Sequence, residues 1–242
     1  MIHRRGIRLY EGNCFEILPK LRKASVDLIL TDPPYGSTDC KWDRKIDLQR
    51  MWEEFNRIAK PTAMMVLFAA QPFVTDVINA NRKHFRYDLI WEKTMAVGFL
   101  SARLRPLRAH EHILVFSKQF KGAIYNPQMT EGKPYISHHG GNRSDIYGKH
   151  HESLTVNKGT RYPRSVMHYS NINRPSLHST QKPLELVKYL MRTYSKPGDL
   201  ILDPFSGSGT TLVAARQLQR RAIGIEREAK FVEVGECRLD AI

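Results

Sequence analysis

The sequence predicts an α/β protein with a doubly wound, mostly parallel sheet of seven strands and a region inserted into it. In the first and last thirds of the chain, short apolar runs followed by turn residues alternate with amphipathic segments, which is typical of βαβ units. Two of these runs end in the same dipeptide, Asp-Pro. The alternation stops over residues 119–176. We therefore predict one domain formed by 1–118 and 177–242, with 119–176 inserted into it.

The elements of the first third follow from this alternation. The apolar runs predict strands at Ile7–Tyr10, Val26–Leu30, Ala63–Phe68, Tyr87–Trp91 and His112–Phe116. The amphipathic segments between them predict helices at Phe15–Leu21, at Asp47–Lys60 and from Gln71 onward. Asp47 is a typical N-cap residue, and Pro61 ends the second helix because proline lacks the backbone N–H that a helix needs.

The last third repeats the pattern in a compact form. It predicts a helix at Leu184–Tyr194, a strand that ends at Asp203, a helix over Thr210–Arg220 and a strand at Ala222–Ile225. A glycine turn, Gly207-Ser208-Gly209, joins the first strand to the second helix. In nucleotide-binding α/β folds the acid after the next strand, here Glu226, accepts hydrogen bonds from ribose hydroxyls.

Composition and charge limit the class of protein. The chain has 242 residues, of which 41% are hydrophobic and 26% charged, as in soluble globular proteins. Its apolar runs fall short of the ~20 residues of a membrane span, and its start lacks the apolar core of a signal peptide. Three scattered cysteines, Cys14, Cys40 and Cys237, indicate reduced thiols. We therefore expect a cytoplasmic protein that does not bind membranes.

The charge balance indicates a polyanionic partner. Lys and Arg number 38 against 24 Asp and Glu, which gives a formal net charge of +14. An excess of this size is typical of proteins that bind nucleic acid, although part of it serves solubility.

The segment Asp32–Tyr35 has the composition of a binding turn. The two prolines keep the chain stiff and extended after the preceding strand, so that Asp32 is held at the strand's carboxyl end. Tyr35 adds a flat ring with a polar tip. A carboxylate, a backbone carbonyl and an aromatic face this close together suit a planar ring that carries an exocyclic amine. A proline-rich turn capped by its own Asp is the alternative.

The glycine turn favours a ligand without a pyrophosphate. Gly207 and Gly209 match the first two glycines of a dinucleotide-binding fingerprint, but the position of the third is occupied by Leu212. An adenosine-containing ligand such as S-adenosylmethionine (SAM) fits this pattern better than a dinucleotide does.

Together these motifs resemble those of the β-arranged DNA amino-methyltransferases, in which Asp-Pro-Pro-Tyr precedes a C-terminal SAM motif. The resemblance covers nearly the whole chain except the region 119–176, and it implies a Rossmann-like SAM methyltransferase fold that uses SAM without a metal. It implies catalytic roles for Asp32, Pro33, Pro34 and Tyr35. It implies SAM contacts from Asn13, Asp32, Thr180, Lys182, Asp203, Phe205, Ser206, Gly207, Ser208, Gly209, Thr210 and Glu226.

Two of these SAM contacts have an ordinary structural alternative. Asn13 stands where family members often carry an Asp that touches the SAM adenine, and it is also a common turn residue. Thr180 and Lys182 belong to a Thr-Gln-Lys-Pro motif expected to hold the methionine end of SAM, but Thr180 or Ser179 would equally serve as a helix N-cap.

The region 119–176 is expected to recognise the target. Six of the ten histidines lie between His138 and His178, but no Cys or carboxylate has ligand spacing around them, so we predict no metal site. Its basic residues are interleaved with tyrosines, which is typical of nucleic-acid surfaces. A long solvated loop is the alternative. The predicted DNA contacts are Arg103, Arg105, Arg108, Arg143, Lys149, Lys158, Arg161 and Arg164.

These observations predict a site-specific methyltransferase that acts on adenine N6 in double-stranded DNA, after flipping the base. Asp before Pro33 is typical of the adenine enzymes in the family; cytosine N4 stays the alternative acceptor. A catalytically silent nucleic-acid-binding module and an RNA methyltransferase are the other readings. The resemblance implies a DNA-associated protein of a bacterial or phage-infected cell. It leaves open a monomer or a homodimer, and also a restriction endonuclease partner.

Overall fold

The computed structural model describes residues 2–4, 6–36, 45–141, 143–144, 148–149, 152–171 and 181–242. Contacts between Cα atoms divide the chain into two compact units. Unit 1 comprises Met1–Asn126 and Ser165–Ile242, and unit 2 comprises Pro127–Arg164.

The described residues form fifteen strands and six α-helices. The strands are β1 (Ile2–Arg4), β2 (Ile7–Glu11), β3 (Val26–Thr31), β4 (Ala59–Ala69), β5 (Phe85–Val97), β6 (Arg108–Ser117), β7 (Thr130–Glu131), β8 (Tyr135–His139), β9 (Arg143–Ser144), β10 (Gly148–Lys149), β11 (Ser153–Asn157), β12 (Thr160–Arg161), β13 (Val166–Tyr169), β14 (Leu200–Asp203) and β15 (Arg221–Glu226). The helices are α1 (Cys14–Ile17), α2 (Leu48–Ile58), α3 (Phe73–Ala80), α4 (Leu184–Tyr194), α5 (Thr210–Gln217) and α6 (Ala229–Asp240). The sequence patterns did not predict helix α6.

The main sheet of unit 1 confirms the predicted fold class. Its strand order is β1-β2-β15-β14-β3-β4-β6-β5-β13. Only β6 and β1 run against the others. The seven predicted strands form the centre, and β1 and β13 extend the two edges. The strand order reverses between β3 and β14, where doubly wound sheets bind their ligands.

Side chains of β3 show how the sheet is buried on both faces. Leu28 and Leu30 pack with α4, α5 and α6 on one face, and Ile29 packs with α2 and α3 on the other. All three are fully buried, as expected for a central parallel strand with helices on both sides. Helix α2 begins where Asp47 accepts a 3.0 Å hydrogen bond from the Arg50 backbone N–H. The fixed position of β3 determines where Asp32 lies, because Asp32 directly follows its last residue, Thr31.

The described residues of unit 2 form three two-stranded antiparallel pairs, β7–β12, β8–β11 and β9–β10. Its bounds, Pro127–Arg164, are narrower than the predicted insertion 119–176. Strand β13 lies within that predicted range but pairs in parallel with β5 of the main sheet, with Met167 opposite Trp91. Met167 is buried in the main core, which explains why this segment belongs to unit 1.

Candidate active site

The two Asp-Pro turns lie side by side. Strands β3 and β14 are parallel neighbours, and the Thr31 hydroxyl at the end of β3 donates a 2.6 Å hydrogen bond to Asp203 Oδ1 at the end of β14. Both turns line one cavity of about 760 Å³ in unit 1. The repeated strand pattern in the sequence therefore identified two halves of a single crevice.

Asp32 is held by two side chains. Tyr35 donates a 2.8 Å hydrogen bond from its hydroxyl to Asp32 Oδ1, and Lys182 donates from Nζ to Asp32 Oδ2. The Tyr35 ring stacks on Phe73, with ring centroids 5.2 Å apart. These contacts fix the orientation of the carboxylate at the cavity wall. The sequence had assigned Lys182 to the methionine end of the cofactor, and that role stays a prediction.

A buried charge cluster surrounds Asp32. Lys182 Nζ lies 3.5 Å from Glu111 Oε2, and Lys93 Nζ lies 2.5 Å from Glu111 Oε1. We call Asp32, Lys182, Glu111 and Lys93 the charge cluster. It contains two carboxylates and two ammonium groups, and the side chains of its last three members are 9%, 12% and 8% exposed. The charges are therefore balanced at a largely buried site, as buried ions require.

Burial and ion pairing shift the pKa values of this cluster in opposite directions. Burial raises the pKa of the Asp32 carboxyl, and the Lys182 ammonium opposes that shift. For Lys182, burial acts to lower the pKa, but the Asp32 and Glu111 carboxylates outweigh it and raise the pKa. For Glu111, burial acts to raise the pKa, and the ammonium groups of Lys182 and Lys93 hold it below its ordinary value. Lys182 therefore stays cationic and stabilises both carboxylates.

The second strand end presents another buried acid. Asp203 is 4% exposed and accepts hydrogen bonds from Thr31 and from the Phe205 backbone N–H at 3.2 Å. Burial raises the pKa of Asp203 to about 6, against the effect of these hydrogen bonds. Its donors hold the turn that follows β14 against the end of β3.

Glu226 closes the far side of the glycine turn. Its Oε2 accepts a 2.8 Å hydrogen bond from the Gly207 backbone N–H, and its Oε1 accepts a 2.8 Å hydrogen bond from the Glu228 backbone N–H. Burial raises the pKa of Glu226. A Cβ atom built on Gly207, which has φ +49°, would meet no protein atom within 4 Å. Gly207 therefore exposes its backbone to the cavity, at a φ that favours glycine.

Helix α6 supports the same turn from behind. Arg238 donates hydrogen bonds to the Ser208 carbonyl at 2.7 Å and to Thr210 Oγ1 at 2.9 Å. A Cβ atom on Gly209 would lie 3.2 Å from Gly235 Cα, so the turn and the helix approach closely because both positions are glycine. Ser208 and Thr210, which were predicted as cofactor contacts, line the cavity. Through their hydrogen bonds with Arg238 they also stabilise the turn itself.

Three predicted cofactor residues, Asn13, Ser206 and Thr180, remain to be placed. Asn13 lines the cavity, and its side chain caps α1 by accepting a 3.0 Å hydrogen bond from the Phe15 backbone N–H. Ser206 lines the cavity and donates its backbone N–H to Ile225 O at 3.0 Å. Thr180 lies outside the described residues.

The predicted DNA contacts are divided between the two units. Arg103 and Arg105 are exposed in unit 1, and Arg108 lines the cavity. In unit 2, Lys158 and Arg164 are exposed. Arg161 is partly buried there: it donates a 2.7 Å hydrogen bond to Asn157 and lies 4.8 Å from the Tyr135 ring centroid. Its guanidinium therefore stabilises unit 2 itself. For Arg143 and Lys149 the structure describes only the backbone, in β9 and β10.

Sequence reasoning missed Glu111 and Lys93. Both lie on the antiparallel pair β5–β6, where Glu111 pairs with Trp91 in the register of the two strands. A detectable signal existed: each is a charged residue within two positions of the apolar run that predicted its strand, Tyr87–Trp91 or His112–Phe116. The sequence alone gives no reason to place either of them beside Asp32.

The described residues contain no helix long and apolar enough to cross a membrane. Within the same ranges, no group of three or more His, Cys, Asp or Glu side chains could hold a metal ion.

Known proteins are similar to this chain in sequence and in fold. The Type II methyltransferase M.HinfI of Haemophilus influenzae is 30% identical over 266 residues, which cover 97% of this chain and 68% of that protein. The Type II methyltransferase M.HpaI of Haemophilus parainfluenzae is 29% identical over 251 residues, which cover 97% of this chain and 74% of that protein.

Two solved structures give the same result. The M1.HpyAVI–SAM complex superposes with a TM-score of 0.68 at 25% identity, over 97% of this chain and 99% of that one. The PvuII cytosine-N4-specific DNA methyltransferase superposes with a TM-score of 0.69 at 17% identity, over 95% and 85%, and shows the fold alone. The family model for N6/N4 DNA methylases matches residues 26–236. The chain therefore belongs to the N6/N4 family of DNA methylases and is a DNA amino-methyltransferase.

Proposed function

We propose that the protein transfers a methyl group from SAM to adenine N6 at a specific site in double-stranded DNA. One observation carries the proposal: the Asp32–Tyr35 turn and the turn that follows β14 open into the same cavity. A methyl donor held at the second turn would lie close to an amine held at the first. The family membership of the chain supports the reaction class, and the Asp before Pro33 supports adenine.

The residues of the cavity fit SAM. The cavity volume, about 760 Å³, lies in the range of small-molecule sites. Gly207 offers open backbone, and Glu226 is a carboxylate at the end of β15, where the ribose hydroxyls of a nucleoside would lie. Asp203, Phe205 and the glycine turn would hold the remainder of the cofactor. When bound, SAM supplies a methyl group on a sulfonium, which is already activated for transfer.

The residues around Asp32 act on the acceptor. The exocyclic amine of adenine is a weak nucleophile because its lone pair is shared with the ring. A carboxylate at Asp32 and the Pro33 carbonyl would accept the hydrogens of that amine and leave its lone pair directed at the methyl group. The same carboxylate offsets the positive charge that develops on nitrogen during transfer. Lys182, which donates to Asp32 Oδ2, and Tyr35, which donates to Asp32 Oδ1, keep that carboxylate oriented.

The substrate must be brought to this cavity. An adenine inside a duplex cannot reach Asp32, so the base must flip, at a cost of a few kcal/mol. The net charge of +14 favours DNA as the partner, and exposed Lys158 and Arg164 of unit 2 are our candidates for phosphate contacts. We assign target recognition to the region that contains unit 2.

Adenine is preferred over cytosine because of one residue. In the family, Asp before Pro33 is typical of the adenine enzymes, whereas Ser is common at that position among the cytosine enzymes. The overall fold does not discriminate, because the PvuII cytosine-N4-specific enzyme shares it.

The test is the identity of the methylated nucleoside. The purified protein is incubated with SAM and unmethylated plasmid DNA, and the DNA is then digested to nucleosides for mass spectrometry. We expect N6-methyladenine. N4-methylcytosine without N6-methyladenine would overturn the acceptor base and leave the reaction class standing. Binding of both SAM and DNA without any methylated nucleoside would favour a silent binding module instead.

A further inference from the structure

Three large apolar side chains stand exposed on the connection between β5 and β6. Phe99 is 81% exposed, Leu100 is 100% exposed and Leu104 is 89% exposed. We call these three residues the apolar tip. Proteins expose single apolar side chains freely, but a cluster on one short segment marks an interaction site.

The apolar tip belongs to an ordered turn. The Ser101 backbone N–H donates a 2.9 Å hydrogen bond to Gly98 O, and the Leu104 backbone N–H donates one of 2.9 Å to Ser101 O. Phe99–Ser101 forms a short 3₁₀ helix, and Gly98 has φ +95°, which favours glycine. The folded backbone itself therefore holds the apolar side chains outward.

Both ends of this turn lead into the candidate active site. Val97, Gly98 and Arg108 line the cavity that contains Asp32. Val97 also pairs with Arg108 in the register of β5 and β6, so the turn projects directly from the cavity wall. A macromolecule that delivers a group to Asp32 would contact the apolar tip as well.

The surrounding charge selects the partner. Arg103, Arg105 and Arg108 lie on or beside the turn, and residues 94–110 contain no acidic residue. Self-association through this face would bring like charges together, which disfavours a second copy of the chain. A polyanion would neutralise the arginines while its stacked bases accept the apolar side chains.

We propose that the apolar tip is a wedge that enters the DNA base stack at the target site and fills the space left by the flipped base. The arginines beside it hold the adjacent phosphates. This inference rests on the proposed function, because it assumes a base that leaves the duplex to reach Asp32. Proteins are known to insert apolar side chains between base steps as wedges, and a side chain in the gap of a flipped base would replace part of the stacking that this base loses.

The test compares two duplexes that contain the methylation site, which sequencing of DNA methylated by the wild-type protein identifies first. In one duplex the target base is paired, and in the other an abasic position lies opposite it, so that flipping costs less. The double variant Phe99→Ala/Leu100→Ala should methylate the paired duplex about tenfold or more slowly than the wild type. On the duplex with the abasic position its rate should return to within about threefold.

A matched control removes an exposed aromatic side chain elsewhere. Phe120 is 48% exposed and lies beyond the opposite end of β6, so Phe120→Ala should leave the ratio of the two rates unchanged. Equal rates for wild type and double variant on the paired duplex would overturn the inference. Equal loss on both duplexes would also overturn it, because the residues would then act in binding alone. A wild-type protein that methylates neither duplex would instead contradict the proposed function, and the wedge with it.

Discussion

Replacing Glu111 by glutamine (Glu111→Gln) keeps the shape of the side chain and removes one of the two carboxylates of the charge cluster. The cluster would then hold two ammonium groups and one carboxylate, that of Asp32, which contacts Lys182. Lys93 is 8% exposed and loses the Glu111 carboxylate 2.5 Å away. Removing one partner of a buried ion pair costs ~3–5 kcal/mol. Because Asp32 still balances Lys182, we expect the lower end, about 3 kcal/mol of unfolding free energy at pH 7.

The pH dependence of this loss separates charge from packing. The ammonium groups of Lys182 and Lys93 overcome the effect of burial and hold the pKa of Glu111 below its ordinary value. Stability from this carboxylate is therefore complete above the ordinary glutamate pKa and is lost as the pH falls through the folded-state pKa. Urea unfolding of wild type and variant should show a difference that shrinks as the pH falls below about 4.3.

The same strand pair, β5–β6, offers a matched control. Asp88 lies 2.9 Å from His112 but is 44% exposed, so Asp88→Asn should cost under about 1 kcal/mol. A Glu111→Gln variant as stable as the wild type at pH 7 would refute the balance of charges. So would a loss that does not change with pH, since that result would indicate packing.

Three further predictions test the cofactor and DNA sites. Gly207→Val should weaken SAM binding in calorimetry at least about tenfold, because the valine side chain enters the cavity. Gly198 also has a positive φ and no protein atom near the position of a Cβ, so the control Gly198→Val should bind SAM normally. Burial raises the pKa of Asp203 to about 6, so the stability linked to its protonation is complete below the ordinary value and is lost as the pH rises through 6. Asp203→Asn should remove this loss, and urea unfolding at pH 4 and 7 should show its stability relative to wild type rising by about 2 kcal/mol; an unchanged difference would contradict the pKa. The log of DNA affinity should fall against log salt by about 0.9 for each phosphate contact, and a slope near zero would contradict electrostatic binding.

The sequence could predict the two strand ends because each carries a local signal. An apolar run followed by Asp-Pro reports both a buried strand and the acid at its end, at Asp32 and at Asp203. The parallel sheet then brings the two ends together. Even the departure of Leu212 from a dinucleotide fingerprint has a structural counterpart, because a Cβ atom on Gly224 would lie 2.7 Å from the Leu212 side chain.

The parts that the sequence could not predict depend on contacts between distant segments. Glu111 meets Lys182 only because β6 and the segment before α4 end at the same cavity, and no local pattern reports that. Arg238 supports Ser208 across 30 residues. Unit 2 lacks a hydrophobic periodicity because its described strands are only two to five residues long. Strands β7, β8, β11 and β12 are also mostly exposed, so their pairing leaves no trace in the pattern.

The central claim is that Asp32 holds the acceptor amine, and the rate of methyl transfer under single-turnover conditions tests it most directly. Asp32→Ala should reduce that rate by about 10²–10³ while SAM and DNA affinities stay within a few-fold, because one oriented acceptor is lost at the reacting nitrogen. Asp27→Ala is the matched control: Asp27 lies on the same strand, 2.5 Å from Lys60 and away from the cavity lining, and its loss should change stability more than rate. A rate for Asp32→Ala within a few-fold of the wild type would contradict the account and leave Asp32 as a structural cap of its turn.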